Sequence, residues 1–374
     1  MLQKSTPILN RNQWFNLLPS SGCNLEVNTM NVVFRADASI EIGTGHIMRC
    51  LTLANSLVEK RAKVHFICSE TAGNLINYLH NQNRIVHPIP ESKSFSKDAK
   101  DTINILNKAR ADLLIIDHYK IDIEWEKVVK DHFPNLKLMV IDDLANRRHF
   151  CDVLLDQNYY ENLEHRYDQL VPAHCVKLLG PRYLLLRPEF IRAKKYLQQR
   201  TGSFQKILIF FGGSDPTNET EKCLLALKQM DISELHIDVV VGSANPNGLR
   251  VKELCEELNL CFHCQIDYLA DLMVKADLSI GAGGVTMWER MYLGLPSLTV
   301  IVAENQRETV EAASNFGAVW NLGCHENVKV ANYVDNMREA MNRPHLLERM
   351  SIKGMELMQS DGTNQPDWIE KYLL

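Results

Sequence analysis

The residues with the clearest chemical potential lie in a short segment around residue 46. Between an apolar run that ends at Arg35 and a helical pattern, the chain carries Asp37, the glycines Gly43 and Gly45, and then His46. A histidine at a helix N-terminus is favoured as the neutral imidazole, the form in which it acts as a general base. We therefore predict that His46 accepts a proton in catalysis, with Asp37 bound to its other ring nitrogen; the alternative is an ordinary helix-start residue.

This segment differs from two well-known phosphate-binding loops. The G-x-G-x-x-G dinucleotide motif requires a glycine where Met48 stands, and the Gly-Lys-Ser/Thr ending of a Walker A loop is missing. Gly43 and Gly45 instead permit a backbone that approaches a ligand closely. Arg49, one helical turn beyond the loop, either contacts a phosphate or is solvated.

A second group of candidate residues lies in a glycine loop after residue 280. Gly283 and Gly284 precede Val285 and Thr286 at the predicted start of a helix. Unpaired N–H groups at such a start bind phosphate oxygens without a lysine. Glu289 follows within the helix, where its carboxylate either accepts hydrogen bonds from ribose hydroxyls or complements the helix dipole.

A related loop occupies residues 211–217. It contains Gly213 and Ser214, and Pro216 is expected at the first position of the next helix, so we predict that this loop faces the same ligand. The sequence contains no Asp-x-Asp pair of the kind that holds a divalent metal on a sugar diphosphate. Two such loops without metal ligands indicate a nucleotide diphosphate held by backbone dipoles, with no metal and no cofactor.

Polar residues also follow two strand-like runs. His118 and Tyr119 follow the run 113–117, and Asn305 and Gln306 follow the run 298–302. Tyr119 combines an apolar ring with a hydroxyl and is a candidate sugar contact. His118 is either a substrate contact or a hydrogen-bonded loop histidine, and the two amides either hold hydroxyl or acetamido groups or cap the next helix.

The surrounding elements alternate between short apolar runs and amphipathic helical patterns. The apolar runs lack polar alternation, as do strands buried on both faces of a parallel sheet. The alternation restarts at residue 207, after the polar segment 192–202, which is predicted to be a linker. We predict an α/β fold of two tandem Rossmann-like, doubly wound domains that face a cleft, with ligands beyond the carboxyl ends of the strands.

Composition and charge exclude several classes of protein. The 374 residues carry a net charge of −5, from 41 Lys and Arg against 46 Asp and Glu, so no nucleic-acid partner is expected. The 10 cysteines are scattered, which is typical of a reducing, cytoplasmic compartment. Cys261 and Cys264 form a C-x-x-C pair without a second pair at zinc-site spacing, so no metal is predicted there. No apolar run reaches the ~18 residues of a membrane span, so no membrane insertion is expected.

In their order, these motifs resemble the UDP-sugar hydrolases of pseudaminic acid biosynthesis. The first motif, Arg-x-Asp-x-Ser-x-x-Ile-Gly-x-Gly-His-x-x-Arg, spans residues 35–49. The others follow in the family's order, at residues 117–119, 186–190, 211–215, 283–289, 293–296 and 305–306. The resemblance extends from about residue 31 to the C-terminus.

The resemblance implies a glycosyltransferase-B (GT-B) fold and a metal-independent, cofactor-free hydrolysis. The implied substrate is UDP-2,4-diacetamido-2,4,6-trideoxy-β-L-altropyranose, which is split into UDP and the free sugar. By the same resemblance, His46 activates the water that attacks the anomeric carbon, Tyr119 and Asn305 lie near the sugar, and Glu289 contacts the uridine ribose.

The predicted organisation has three parts. Residues 1–29 form an extension, either disordered or upstream of the true start, because Met30 directly precedes the first strand-like run. Residues 30–200 form the catalytic, sugar-side domain and residues 201–374 the UDP-binding domain of a cytoplasmic monomer. The alternatives are a GT-B transferase that passes the sugar to a lipid or protein acceptor, and a nucleotide-sugar binding protein without catalytic activity.

Overall fold

The fold was obtained as a computed structural model, which describes residues 29–92, 94–358 and 365–374. Except for Thr29, the predicted extension 1–29 lies outside the described residues. No helix in these ranges combines the length and apolar character needed to cross a membrane.

The first half of the chain forms a seven-stranded parallel sheet. Its strands are β1 (Asn31–Ala36), β2 (Lys63–Ser69), β3 (Ile85–Ile89), β4 (Leu113–Asp117), β5 (Lys137–Ile141), β6 (Val153–Asp156) and β7 (Val176–Leu179). Its helices are α1 (Gly45–Glu59), α2 (Ile76–Asn81), α3 (Phe95–Ala109), α4 (Ile123–His132) and α5 (Pro188–Ala193). Successive residues of β1 point to opposite faces: Phe34 packs in one core and Val33 in the other. Both faces are buried, as the continuous apolar run predicts.

The second half forms a six-stranded parallel sheet. Its strands are β8 (Lys206–Phe210), β9 (His236–Val241), β10 (Cys261–Cys264), β11 (Leu278–Ala282), β12 (Ser297–Ile301) and β13 (Trp320–Cys324). Its helices are α6 (Glu219–Leu227), α7 (Gly248–Glu257), α8 (Leu269–Lys275), α9 (Val285–Tyr292), α10 (Arg307–Phe316), α11 (Val330–Asn342) and α12 (Pro344–Met358). A last helix, α13 (Gln365–Tyr372), follows. The predicted fold class, two doubly wound α/β units, is confirmed.

The strand orders place a crevice in each sheet. The first sheet has the order β3-β2-β1-β4-β5-β6-β7, and the second has the order β10-β9-β8-β11-β12-β13. The strand order reverses between β1 and β4 and again between β8 and β11. Loops diverge at such switch points, and ligands bind there, beyond the carboxyl ends of the strands. The loop that leads to His46 follows β1, and the glycine loop that leads to Val285 follows β11.

The chain crosses from one sheet to the other twice, first through α5 and again before α13. Phe190 of α5 packs into a core beside the second sheet, and Trp368 of α13 packs into the core of the first. The predicted linker 192–202 is not freely solvated. Arg200 donates hydrogen bonds to the carbonyl of Met273 at 2.8 Å and to that of Ala276 at 3.1 Å, and so satisfies acceptors at the end of α8.

Candidate active site

His46 and Asp117 meet at the switch point of the first sheet. His46 is in the first turn of α1, Asp117 is the last residue of β4, and both side chains are buried. His46 Nδ1 lies 2.6 Å from Asp117 Oδ1. An ionised carboxylate only accepts hydrogen bonds, so Nδ1–H donates to it and the lone pair is on Nε2. The predicted pairing of His46 with Asp37 is therefore wrong, because Asp117 occupies that position.

Arg49 completes a buried charged group with Asp117. Its Nε lies 2.5 Å from Asp117 Oδ2, and its Nη2 lies 2.6 Å from Oδ1. Its Nη1 lies 3.2 Å from Asp143 Oδ2. Burial alone would raise the pKa of Asp117, but the charge of Arg49 and the contact with His46 hold that pKa well below its ordinary value. Arg49 is therefore an ion-pair partner of the carboxylate behind His46, and the solvated alternative is wrong.

Asp37 belongs to a second buried group beside the first. Arg35 Nη1 lies 2.6 Å from Asp37 Oδ1, and the Ser69 N–H donates to the same oxygen at 2.7 Å. His118 Nδ1 accepts the Lys120 N–H at 3.1 Å, which leaves Nε2–H, 3.2 Å from Asp37 Oδ2, as the donor. Burial lowers the pKa of His118 and favours its neutral form. This geometry matches a hydrogen-bonded loop histidine.

Tyr119 connects the catalytic histidine candidate to the second half of the chain. Its ring lies edge-on to the His46 ring, with centroids 4.3 Å apart. Its hydroxyl donates to Asp143 Oδ2 at 3.4 Å and accepts from Asn305 Nδ2 at 3.4 Å. Burial and the charge of Asp143 raise the pKa of Tyr119 to about 12, so the hydroxyl keeps its proton near neutral pH.

The two groups border one cavity of about 640 Å³ at the carboxyl edge of the first sheet. The predicted residues on its wall are His46, Asp37, His118 and Tyr119. Gly43, with a φ of +75°, turns the loop over the cavity, and its N–H donates to the Ser39 carbonyl at 2.9 Å. Ile40 lies in the same loop with 82% of its surface exposed. A cavity of this volume is in the range that holds small-molecule ligands.

The start of α9 offers uncapped N–H groups at the switch point of the second sheet. The helix begins at Val285, with Gly284 as its N-cap, and no side chain caps it. Gly283 leaves no room for a side chain, because a Cβ there would lie 2.2 Å from Val310 Cγ2. The first-turn N–H groups, including that of Thr286, are donors of the kind that bind anions.

The start of α6 is different, and the prediction for Pro216 is wrong. The helix begins at Glu219, because Asn218 immediately before it has a φ of +56°, which a helix does not contain. The Asp215 carboxylate accepts the N–H groups of Glu219 at 3.0 Å and Thr220 at 2.9 Å. The Asp215 side chain therefore already binds the first-turn N–H groups that an anion would need. The exposed residues in the loop are Gly213, Ser214 and Pro216.

Glu289 is paired with a residue that sequence reasoning did not select. Arg187 Nε and Nη2 lie 2.9 and 3.0 Å from its two carboxylate oxygens. Burial raises the pKa of Glu289, and the charge of Arg187 opposes this effect. Arg187 immediately precedes α5, on the segment that crosses between the sheets. Its position in the 186–190 motif was the signal that could have identified it.

Polar contacts also join the loops of the two sheets. Besides the contact of Tyr119 with Asn305, Trp288 Nε1 donates to Asn158 Oδ1 at 3.0 Å. Gln306 accepts the Val302 N–H at 3.1 Å, and its side chain does not cap α10, so that alternative is wrong for Gln306. The two carboxyl edges therefore face each other across the predicted cleft.

Comparison with known proteins supports the resemblance. No protein-family model matches the chain. The UDP-2,4-diacetamido-2,4,6-trideoxy-β-L-altropyranose hydrolase of Campylobacter jejuni is 29% identical over 281 residues, which cover 75% of this chain and 94% of that protein. The spore coat polysaccharide biosynthesis protein SpsG of Bacillus subtilis is 26% identical over 336 residues, 89% of this chain and 95% of that protein.

Solved structures show the fold. The crystal structure of Acinetobacter baumannii MurG matches with a TM-score of 0.64 over 91% of this chain and 99% of that chain, at 15% identity. At this identity the match bears on the fold alone. The chain has a GT-B fold and, as its motifs predicted, is similar in sequence to the UDP-sugar hydrolase of C. jejuni.

Proposed function

We propose that this protein is an enzyme of glycan biosynthesis that hydrolyses a UDP-sugar at the anomeric carbon. The observation that carries the proposal is the buried His46–Asp117 pair on the wall of the cavity. The substrate named for the C. jejuni relative, UDP-2,4-diacetamido-2,4,6-trideoxy-β-L-altropyranose, is our proposed substrate, in a route to pseudaminic acid. The proposal needs no metal or cofactor for the chemical step.

The proposed reaction uses His46 as the general base. Asp117 fixes the tautomer with Nδ1 protonated, so Nε2 is the ring nitrogen that takes a proton from water. As the water oxygen bonds to the anomeric carbon, the bond from that carbon to the β-phosphate oxygen breaks. The electron pair leaves with UDP, and the N–H groups at the start of α9 stabilise the charge that develops there.

The remaining predicted residues are assigned to the two ends of the substrate. We assign the sugar to the side of residues 30–200, where Tyr119 and Asp37 border the cavity, with Asn305 opposite. We assign UDP to the side of residues 201–374, with the diphosphate at the start of α9 and the ribose near Glu289. Arg49 and His118 act on the sugar side through the carboxylates of Asp117 and Asp37 that they contact. The other residues that we assign to the substrate loops are Gly43, Gly45, Gly213, Ser214, Gly283, Gly284, Val285, Thr286 and Gln306.

An acceptor-free incubation in ¹⁸O-labelled water tests the proposal. Purified protein is mixed with the UDP-sugar, and the products are followed by NMR and mass spectrometry. We expect UDP without the label and free sugar with ¹⁸O on its anomeric carbon, released in inverted configuration. Label in the UDP would instead show attack at phosphorus, and an unchanged substrate would rule out the hydrolase.

Transfer of the sugar to an acceptor is the second candidate function, and the apolar residues beside the cavity favour it. Three exposed apolar residues, Ile40, Ile42 and Phe95, border the cavity of about 640 Å³, and an apolar rim of this kind suits an acceptor with a lipid portion. In that case UDP release would require the acceptor. A protein that binds the nucleotide sugar and releases no UDP under either condition would be a binding protein without catalysis.

A further inference from the structure

A cluster of metal-ligating side chains lies on the second sheet, away from the cavity. His236 is the first residue of β9, and Cys261 is the first residue of β10, which is the edge strand beside it. Asp238 pairs with Cys261 in the strand register and lies two residues after His236, so all three side chains share one face. Their potential metal-ligand atoms, one nitrogen, one oxygen and one sulfur, lie close together.

The spacing of the three donor atoms suits a tetrahedral metal ion. His236 Nε2 lies 3.4 Å from Asp238 Oδ2 and 4.0 Å from Cys261 Sγ. All three donor atoms lie within 4.8 Å of one another. Zinc bonds of about 2.0–2.3 Å in tetrahedral geometry place neighbouring ligand atoms roughly 3.3–3.8 Å apart. Small side-chain adjustments therefore suffice to close the site around an ion.

A second histidine orients the carboxylate. His263 lies two residues after Cys261, and its Nε2 is 2.7 Å from Asp238 Oδ1, the oxygen that faces away from His236. The other nitrogen of His263 is 3.0 Å from the hydroxyl of Tyr268. Chains of this kind, in which groups behind a ligand fix its orientation, surround many metal sites.

Metal binding at Cys261 would be a proton exchange. The thiolate is the form that binds a metal, so binding would replace the S–H bond of Cys261 by a metal–sulfur bond and release the proton to solvent.

We propose that His236, Asp238 and Cys261 form a zinc site whose fourth position is open to water. A mixed nitrogen, oxygen and thiolate set at this spacing suits Zn²⁺ better than Mg²⁺ or Ca²⁺, which prefer oxygen ligands. The ligands lie at the amino ends of β9 and β10, whereas the proposed substrate loops follow the carboxyl ends of the strands. Because two ligands are on β9 and one is on β10, a bound ion would link the edge strand to its neighbour, away from the proposed substrate loops.

This site differs from the C-x-x-C pair considered in the sequence. Cys264 is three residues from Cys261 on the same strand, so its side chain points to the opposite face of the sheet. It cannot share an ion with Cys261, and the partners come from the neighbouring strand instead. Because both cysteines are exposed, Cys264 provides a matched control.

Cobalt and zinc titrations of the full-length protein test the site. We expect metal-free wild-type protein to bind one Co²⁺ with a thiolate-to-metal absorption band, and Zn²⁺ to displace it. Cys261→Ser should abolish the band, and Cys264→Ser should retain it. His263→Phe should keep the band but weaken Zn²⁺ affinity by about 10–100-fold, as changes behind a ligand typically do.

Thermal unfolding provides a second readout. Zn²⁺ should raise the thermal midpoint of the wild type and of Cys264→Ser, and leave that of Cys261→Ser unchanged. Mg²⁺ should have no effect on any of the three proteins. Absence of saturable binding to the wild type, or equal loss of the band in the two cysteine variants, would overturn the proposal whatever the outcome for hydrolysis.

Discussion

At the scale of single residues, the sequence was sufficient to select His46 as the candidate base but not to identify the carboxylate that pairs with it. His46 stands out because a glycine loop presents it at a helix start. Asp117 is 71 positions away and reaches Nδ1 only because β1 and β4 are neighbours in the sheet. Asp37, close in sequence, is instead held by Arg35 and the Ser69 N–H. Sequence proximity was a poor guide because strand pairing, not chain distance, decides which side chains meet.

Replacing His46 tests its role as the base. His46→Gln removes the imidazole and leaves the start of α9 intact, so turnover should fall by about 10²–10⁴-fold, the usual contribution of a general base. The affinity for UDP should stay near that of the wild type. Steady-state UDP release and calorimetric titration with UDP measure the two effects. Near-normal turnover would exclude the role.

Replacing Asp117 tests the orientation of His46. In Asp117→Asn, an amide N–H that faces Nδ1 would place the ring proton on Nε2, the wrong tautomer for a base. We expect a loss of turnover on the order of 10⁴-fold, as for the carboxylate of a Ser-His-Asp triad.

Asp143→Asn is the matched comparison, because Asp143 contacts Arg49 and Tyr119 and makes no hydrogen bond to His46. A much smaller loss of turnover is expected in that variant. Equal losses in the two variants, or an unchanged ring-nitrogen NMR signature in Asp117→Asn, would contradict the tautomer argument. Thermal unfolding of both variants separates a loss of fold from a loss of orientation.

At the scale of elements, the two helix starts of the second sheet look alike in sequence and differ in structure. Both follow a strand and a glycine pair. In α6 the Asp215 carboxylate takes two first-turn N–H groups, whereas no side chain caps α9. An acidic residue in the loop that leads into a helix is a sequence signal for a filled N-terminus, and Asp215, four residues before α6 begins, supplied it.

Alanine substitutions at two adjacent glycines separate folding from phosphate binding at α9. At Gly283 a Cβ would lie 2.2 Å from Val310 Cγ2, so Gly283→Ala should lower the free energy of unfolding by about 1–3 kcal/mol. At Gly284 the nearest atom would be Gln306 Nε2 at 3.7 Å, so Gly284→Ala should fold normally. Its methyl group would nevertheless crowd a bound diphosphate and weaken UDP affinity. Chemical denaturation and UDP titration measure both quantities; wild-type affinity in Gly284→Ala would place the diphosphate elsewhere.

At the scale of the whole molecule, the repeated pattern of strands and helices predicted the two sheets. The central strands, such as β4 and β12, are mostly apolar and fully buried, so the parallel sheets and their buried faces followed from local sequence. The edge strands β3 and β10 contain polar residues and are only partly buried, so local sequence did not indicate them. The two places where the chain passes from one sheet to the other did not follow from local sequence. Phe190 and Trp368 are apolar residues of short helices, and nothing local shows that each packs into the core of the other half. The Arg187–Glu289 pair was missed for the same reason, since it depends on the first crossing.

The response of the whole molecule to pH should depend on a carboxyl group at the end of β6. Asp156 is fully buried and accepts the Tyr167 hydroxyl at 3.0 Å. Burial, with the nearby charge of Asp143, raises its pKa to about 7, whereas an unfolded chain has an Asp pKa near ~3.9. Between about pH 4 and 7 the folded state therefore holds a proton that the unfolded state has lost, and stability falls as the pH rises through this window.

Asp156→Asn removes this titration and tests it against the wild type. The free energy of unfolding of the wild type, relative to the variant, should fall by up to about 1.4 kcal/mol per pH unit between pH 4 and 7 and level off above pH 7. Asp117 has the opposite sign: its lowered pKa stabilises the fold above about pH 4, and that stability is lost only in acid. The two effects are thus separable in urea denaturation at pH 5 and pH 8. A difference between wild type and Asp156→Asn that is the same at both pH values would show that Asp156 ionises normally in the folded protein, and that Tyr167 and its neighbours solvate the carboxylate in place of water.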